Sequence, residues 1–272
     1  MTRGGKGLVL VRGAGDLATG TIVRLSRAGF LVAALEIGRP TAIRRTVALA
    51  EAVYEGEAEV EGVKARLVAS VRELLSAVAP GVVPILVDRD CSSLTALEPV
   101  ALVDAIVAKR SLGTFIGMAP IVVALGPGFS AGVDAHAVIE TNRGHDLGRV
   151  LWRGEAEPDS AVPGSVGGYA AERVLRAGGA GRLRPLREIG EIVGAGDAVF
   201  EIEGDEGGVA ASRIGGVVRG ILREGFPAWA GLKAADVDPR ARRESCFSVS
   251  DKARAVGGGV LEAILSLGAR PA

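Results

Sequence analysis

The chain holds four stretches whose residue types and spacing could do chemistry, and the first lies near its start. Residues 13–18 read GAGDLA, placing Gly13, Ala14, Gly15 and Asp16 directly after an apolar run. Glycines in a GxGxxA turn let the backbone approach a pyrophosphate. The helix that follows offers unpaired N–H groups and a partial positive charge. Glu36 comes 21 residues after Gly15, where a carboxylate would accept ribose hydroxyls. Asp16 runs against this, because it sets a negative charge beside the phosphate position, and it would equally cap a helix. The turn is open to two readings, a phosphate-bearing ligand or a structural bend.

The second stretch contains Arg44 and Arg45, which could hold a 2′-phosphate or a second phosphoryl group, or could simply be solvated. The third runs from Gly126 and Gly128 through His136 to Glu140, Asn142, Arg143, His145 and Asp146. Both histidines of the chain and its sole asparagine fall here, after an apolar run. His136 and His145 are candidate acid–base groups. Their spacing matches no zinc signature, so a polar ligand loop is expected and a metal is not. The fourth is Cys246, followed by Lys252, Arg254 and the triplet Gly257, Gly258 and Gly259. A basic setting would lower the thiol pKa and make it a nucleophile or a persulfide carrier; an inert core cysteine is the alternative. The glycine triplet, leading into a helix expected over 257–267, could cradle an anion.

These groups need elements to position them. Residues 8–11 read as a buried strand, 16–28 as a helix stopped by Gly29, and 31–35 as a second strand ending at Glu36. One βαβ unit predicts a parallel sheet covered by helices. Further strands are expected at 82–87, 101–107, 121–125 and 135–139, with a helix at 68–78. The expectation is a Rossmann-like, doubly wound α/β domain over residues 1–155. At 54–68 Glu55, Glu57, Glu59 and Glu61 alternate with small residues, which reads as a solvated edge strand without chemistry.

Beyond residue 155 the composition changes. Residues 156–180 read as a linker and a helix at 169–177, residues 181–240 as short strands and turns, and 241–272 as a segment ending in a helix that packs back on the first domain. Gly190 and Gly196 recur as Gly225 and Gly231, a period of 35 residues that suggests two similar β-units.

Composition narrows the class. With 272 residues the chain can bury a large core without staples, and two cysteines are too few for a disulfide framework. The first residues lack a long apolar stretch, and no later one suits a membrane span; a cytoplasmic protein is expected. With 32 basic against 32 acidic residues there is no overall basic footprint for nucleic acid. Residues 212–256 still hold nine Lys/Arg against five Asp/Glu.

Several segments together resemble one family. They are RGAGDLATG (12–20), RLSRAGF (24–30), EAVYEGEAEVEGVKA (51–65), VDAIVAKRSLGT (103–114), LGPGFSAGVDAHAVIETNRGHDLGRV (125–150), DVDPR (236–240) and SDKARAVGGGVLEA (250–263). The chain is similar in these to the YqeB family of selenium-dependent molybdenum hydroxylase accessory proteins. The resemblance implies a role in maturing such a hydroxylase, by handling a molybdopterin-type cofactor or supplying sulfur or selenium. It implies the hydroxylase or other maturation proteins as partners, and a homo-oligomer is expected. It carries over no catalytic residue, and whether a reaction is catalysed stays open. Residues 190–204 and 215–225 resemble a biotinyl/lipoyl-like half-barrel, but the hairpin at 203–208 has no lysine for covalent biotin or lipoate. The alternatives are an NAD(P)-dependent oxidoreductase, with a dinucleotide at the GxG turn, and a non-catalytic binding scaffold.

Overall fold

A computed structural model describes residues 7–160, 162–205 and 207–272; parts of the readings of the first ten residues and of the hairpin at 203–208 lie outside these. The chain divides into two compact units. One comprises the described residues of Met1–Pro40, Ala48–Asp159 and Val249–Ala272, the other Thr41–Val47 and Ser160–Ser248.

In the first unit β1 (Leu8–Arg12) is wholly buried and leads through the glycine turn into α1 (Asp16–Arg27). Asp16 in the first turn of α1 and Arg24 and Arg27 in its last complement the helix dipole. Then come β2 (Leu31–Glu36), a short α2 (Ala52–Glu55), the hairpin of β3 (Glu57–Val60) and β4 (Val63–Val68), and α3 (Val71–Ala77). Next are β5 (Val82–Val87), α4 (Leu94–Leu97), β6 (Ala101–Asp104) and β7 (Val122–Leu125). The short strands β8 (Ser130–Ala131), β9 (Ala137–Ile139), β10 (Val150–Leu151) and β11 (Gly154–Glu155) complete the run. Nine strands make one sheet in the order β10-β9-β7-β6-β1-β2-β5-β4-β3, parallel from β9 to β4 and antiparallel at both edges. The chain moves outward from β1 on one side, then returns to lay β6 on the other. The strand order therefore reverses between β1 and β6.

Helices cover both faces, which is why the central strands are continuous apolar runs. Leu74 of α3 and Leu97 of α4 join Leu8, Leu10, Leu35, Leu86 and Leu102 in one cluster. On the other face α1 packs against the C-terminal helix, α5 (Asp251–Ser266), which begins at the Ser250 cap. A Cβ on Gly20 would lie 2.6 Å from Ala253 O, and one on Gly257 2.8 Å from Gly20 O, so the two backbones meet with no room for a side chain. This corrects the anion-cradle reading of the triplet. Gly257, Gly258 and Gly259 lie inside α5, which starts six residues earlier than expected, and their N–H groups belong to the helix ladder.

The acidic row is also divided. Glu55 ends α2, Glu57 and Glu59 lie in β3, and Glu61 occupies the hairpin turn at φ 51°. There its carboxylate accepts the Val249 N–H at 2.9 Å and ion-pairs with Arg27 at 3.2 Å and with Arg254. Burial pushes the Glu61 carboxyl up, but these bonds outweigh it and hold the pKa below the ordinary value.

Among its described residues the second unit has eight strands in two four-stranded antiparallel sheets. They are β12 (Val174–Arg176), β13 (Gly181–Pro185), β14 (Ile192–Val193), β15 (Ala198–Glu203), β16 (Gly208–Ala211), β17 (Gly216–Ile221), β18 (Pro227–Ala228) and β19 (Lys233–Asp238). The sheets run β12-β19-β17-β14 and β16-β15-β13-β18. A shift of 35 residues carries Gly181 to Gly216, Ile192 to Pro227 and Ala198 to Lys233, the starts of β13, β14 and β15 onto those of β17, β18 and β19. Exchanging β13, β14 and β15 with β17, β18 and β19, and β12 with β16, turns the order of one sheet into the order of the other. The helix expected at 169–177 is instead a 3-10 turn (Ala171–Arg173) followed by β12, because Val174 and Leu175 are buried by pairing with β19. No helix among the described residues is long and apolar enough to cross a membrane.

Candidate functional site

The carboxyl ends of β1, β2, β5 and β6 gather the polar residues of the first unit. β1 closes on Arg12, and Gly13 turns the chain at φ 102°, a conformation that excludes most side chains. Its N–H donates to Leu35 O at 2.7 Å, and a Cβ there would lie 3.2 Å from Ala105 O. Ala14 O accepts from Ala50 N at 2.8 Å and from the Thr19 hydroxyl at 3.2 Å. The turn is thus braced from both sides. Gly15 differs: its φ is −65°, it opens α1 without any side-chain cap, and a Cβ on it would meet nothing within 4 Å. The fold requires glycine at 13 and leaves open space at 15.

Glu36 reaches this turn from the end of β2. Its Oε2 accepts Ala14 N and its Oε1 accepts Ile37 N, both at 2.8 Å. Burial raises its pKa above the ordinary value, and the two N–H donors only partly offset that. Asp16 accepts the Leu17 N–H at 2.9 Å and does not act as the α1 cap.

Beneath the turn lies a buried cluster that the sequence did not announce. Arg12 and Asp104 close neighbouring strands, with side chains 6% and 3% exposed. The Thr114 hydroxyl stands between them, accepting from Arg12 Nη1 at 2.8 Å and donating to Asp104 Oδ2 at 2.6 Å. Arg12 Nη2 donates to Arg89 O and Leu112 O. One guanidinium therefore ties together the segments that follow β5 and β6. Its Nε is buried and has no partner among the described residues. The signal was present as a charged residue ending each of two apolar runs, which alternation alone does not distinguish from a solvated strand end. Asp88, next along this edge, accepts N–H and O–H bonds from both Ser92 and Ser93, which overcome its burial and hold its pKa down.

The third stretch forms a separate open cleft of about 430 Å³, lined by Glu140, Asp146, Arg149, Glu155 and Glu157 among others. Glu140 is buried, accepting the N–H groups of Asn142 at 2.6 Å and Glu157 at 2.8 Å. The Asn142 side chain bonds the Glu157 carboxylate, and Arg143 makes a two-pronged pair with Asp251 of α5. Gly126 abuts Thr141, and Gly128 abuts the backbone of Arg110. His136 accepts the Val122 N–H on Nδ1 at 3.0 Å, which occupies that nitrogen in strand pairing; His145 is exposed. Among the described residues no three His, Cys, Asp or Glu groups converge on a metal position.

Arg44, Arg45 and Cys246 belong to the second unit, not to the compact unit that holds the glycine turn. Arg44 is buried and donates to Ser245 O and Ser248 O, each at 3.2 Å, while Arg45 Nε donates to Ile221 O at 2.8 Å. Arg44 is buried against backbone carbonyls, which corrects its reading as a phosphate ligand, whereas Arg45 is partly exposed and commits its Nε to one carbonyl. Cys246 is 0% exposed and faces Val218 O at 3.8 Å. Burial raises its pKa despite Arg219 and Arg44, so the expected low-pKa nucleophile is absent and the basis for a sulfur or selenium relay goes with it.

No family model matches the chain. It is 49% identical over 263 residues to the uncharacterized protein YqeB of Escherichia coli (strain K12), covering 97% of this chain and 48% of that relative. Among solved structures it is similar to the product-bound ectoine utilization protein EutE (DoeB) from Ruegeria pomeroyi, at 12% identity and TM-score 0.27, over 87% of this chain and 86% of that one. It is also similar to a succinylglutamate desuccinylase from a Silicibacter species, at 11% identity and TM-score 0.25, over 86% and 85%. Structural likeness at that level bears on neither fold nor function. The sequence match does: this chain is a YqeB homologue that spans about half the length of its relative.

Proposed function

We propose that the first unit binds an anionic pterin or nucleotide ligand at the carboxyl edge of its parallel strands. In this reading the protein is an accessory factor in the maturation of a selenium-dependent molybdenum hydroxylase. The observation that carries the ligand reading is Gly15, a glycine that neither its φ nor its neighbours require, at the uncapped start of a 12-residue helix. Room for an absent Cβ at that point is what a phosphate needs to approach the N–H groups. The strand order supports a Rossmann-like sheet. With β4 set aside as an addition outside β5, the parallel strands β5-β2-β1-β6-β7-β9 follow the 3-2-1-4-5-6 order, with the ligand crevice where the order reverses. The α1 N-terminus would hold the anion. Glu36, with each oxygen already accepting one N–H, would use its remaining lone pairs for sugar hydroxyls.

The matched sheets of the second unit support its likeness to biotinyl/lipoyl-like domains. The hairpin at 203–208 has no lysine, so we read it as a docking scaffold without a covalent arm. The maturation role rests on the family resemblance.

Native mass spectrometry of protein purified without oxygen from a molybdenum- and selenium-replete host tests the reading. A retained pterin or nucleotide mass is expected, and Gly15→Val should lose it while keeping the wild-type Tm. Retained NAD(P) would favour the oxidoreductase. A protein that binds nothing would favour the scaffold.

A further inference from the structure

Resting on the ligand reading above, we infer that Arg110 is a second anion-recognition point that selects ligands with a negative group in the half remote from the glycine turn. Residues 105–113 leave the end of β6 directly against the turn, with Ala105 O 3.2 Å from a Cβ position on Gly13. They then cross to the next strand. A Cβ on Gly128, just after β7, would lie 2.5 Å from Arg110 Cα. β7 stands two strands from β1 in the sheet, so at about 4.8 Å per strand Arg110 lies about 10 Å along the edge from the turn. The segment returns to β1 through Leu112 O and Thr114, both held by Arg12.

Charge along this path is uneven. Lys109 is tied to Asp159 at 2.5 Å, whereas Arg110 is exposed and pairs with no carboxylate among the described residues. The buried Arg12 Nε at the end of β1 also lacks a partner among the described residues. Val107 and Lys109 hold φ of 55° and 65°, a left-handed backbone that a β-branched valine rarely adopts. The segment is pinned at both ends and carries between them the Arg110 guanidinium, paired with no carboxylate among the described residues. A ligand anchored at Gly15 and laid across β6 brings its far half to that guanidinium, whose planar fork suits a carboxylate or phosphate.

Nicotinic acid adenine dinucleotide and NAD differ in the far half by a carboxylate against a carboxamide, and ADP supplies the near half alone. Calorimetric titration of the whole protein with all three is the test. The carboxylate form should bind about tenfold more tightly than NAD, the worth of one charge-assisted hydrogen bond. Arg110→Ala should equalise the two and leave ADP affinity unchanged, and Arg110→Lys should restore part of the preference. Equal binding of the two by wild-type protein overturns the inference while leaving the nucleotide reading intact. Failure of all three to bind overturns the inference together with the nucleotide form of the ligand reading, and leaves the pterin form to the mass-spectrometric test.

Discussion

Glu36 and Ala14 join the ends of two neighbouring strands: the carboxylate of one accepts the turn amide of the other at 2.8 Å, so the acid shapes the turn it was expected merely to accompany. The bond explains why a partly buried carboxylate is tolerated at the edge of an apolar sheet. Its two oxygens each answer a backbone N–H that would otherwise lack a partner.

Glu36→Gln puts an NH2 group against one of those N–H donors and should destabilise the fold by about 1–3 kcal/mol at pH 7. Burial raises the folded pKa of Glu36, so the folded protein holds this proton more tightly than the unfolded chain. Its stabilising contribution is complete below the ordinary value of 4.5 and is lost as pH rises through the folded value. Urea unfolding from pH 4 to pH 7 should show the advantage of wild type over Glu36→Gln shrinking as pH rises. A difference that stays constant with pH would contradict the assignment.

Arg12→Ala removes the guanidinium but leaves Asp104 buried beside Thr114. A buried carboxylate stripped of its partner should cost about 3–5 kcal/mol. Thr114→Val, which deletes only the bridging hydroxyl, should cost about 1–3 kcal/mol. If chemical denaturation puts both variants within 0.5 kcal/mol of wild type, as is usual for surface changes, the cluster does not organise this edge.

Gly257 and Gly258 are adjacent in α5 and should respond in opposite directions to alanine. A Cβ on Gly257 would press on Gly20 O, whereas one on Gly258 would meet nothing within 4 Å. Gly257→Ala should destabilise by about 1–3 kcal/mol through overpacking, and Gly258→Ala should stabilise by about 0.5–1 kcal/mol through helix propensity. Thermal melts of the two variants side by side decide it, and equal shifts would rule out the helix seam.

Cys91 and Cys246 are both buried, and burial pushes the Cys91 thiol up to about 11 and the Cys246 thiol also upward. Neither should react with a thiol reagent at pH 7.5 on a timescale of minutes, and both should react at once in denaturant. Rapid native labelling of Cys246 would reinstate a reactive sulfur.

Much of the first unit was legible in the chain itself. Leu8 to Val11 and Leu31 to Leu35 are unbroken apolar runs separated by a helix with a glycine stop, and such a βαβ unit has few alternatives. Gly13 and Glu36 could be placed at one edge because strand ends and the turn between them are local features. The 35-residue period of the second unit was visible as two glycine pairs, since turns recur wherever a β-unit recurs.

What lay beyond the sequence was the use each charged residue makes of its charge. Arg12, Asp104 and Thr114 are up to 102 positions apart, and only the pairing of β6 with β1 brings them to one point. Arg44 and Arg45 could be read equally as phosphate ligands or as solvated residues until folding set them against backbone carbonyls. Cys246 looked activated because neighbouring arginines are written beside it, yet desolvation outweighs their charge once the thiol is buried. The glycine triplet of α5 could not be told from a loop, because glycine disfavours helix locally and is accepted there only where another backbone approaches. Local patterns determined the elements and their order; burial and long-range pairing, which no local pattern encodes, decided which polar groups remain available to a ligand.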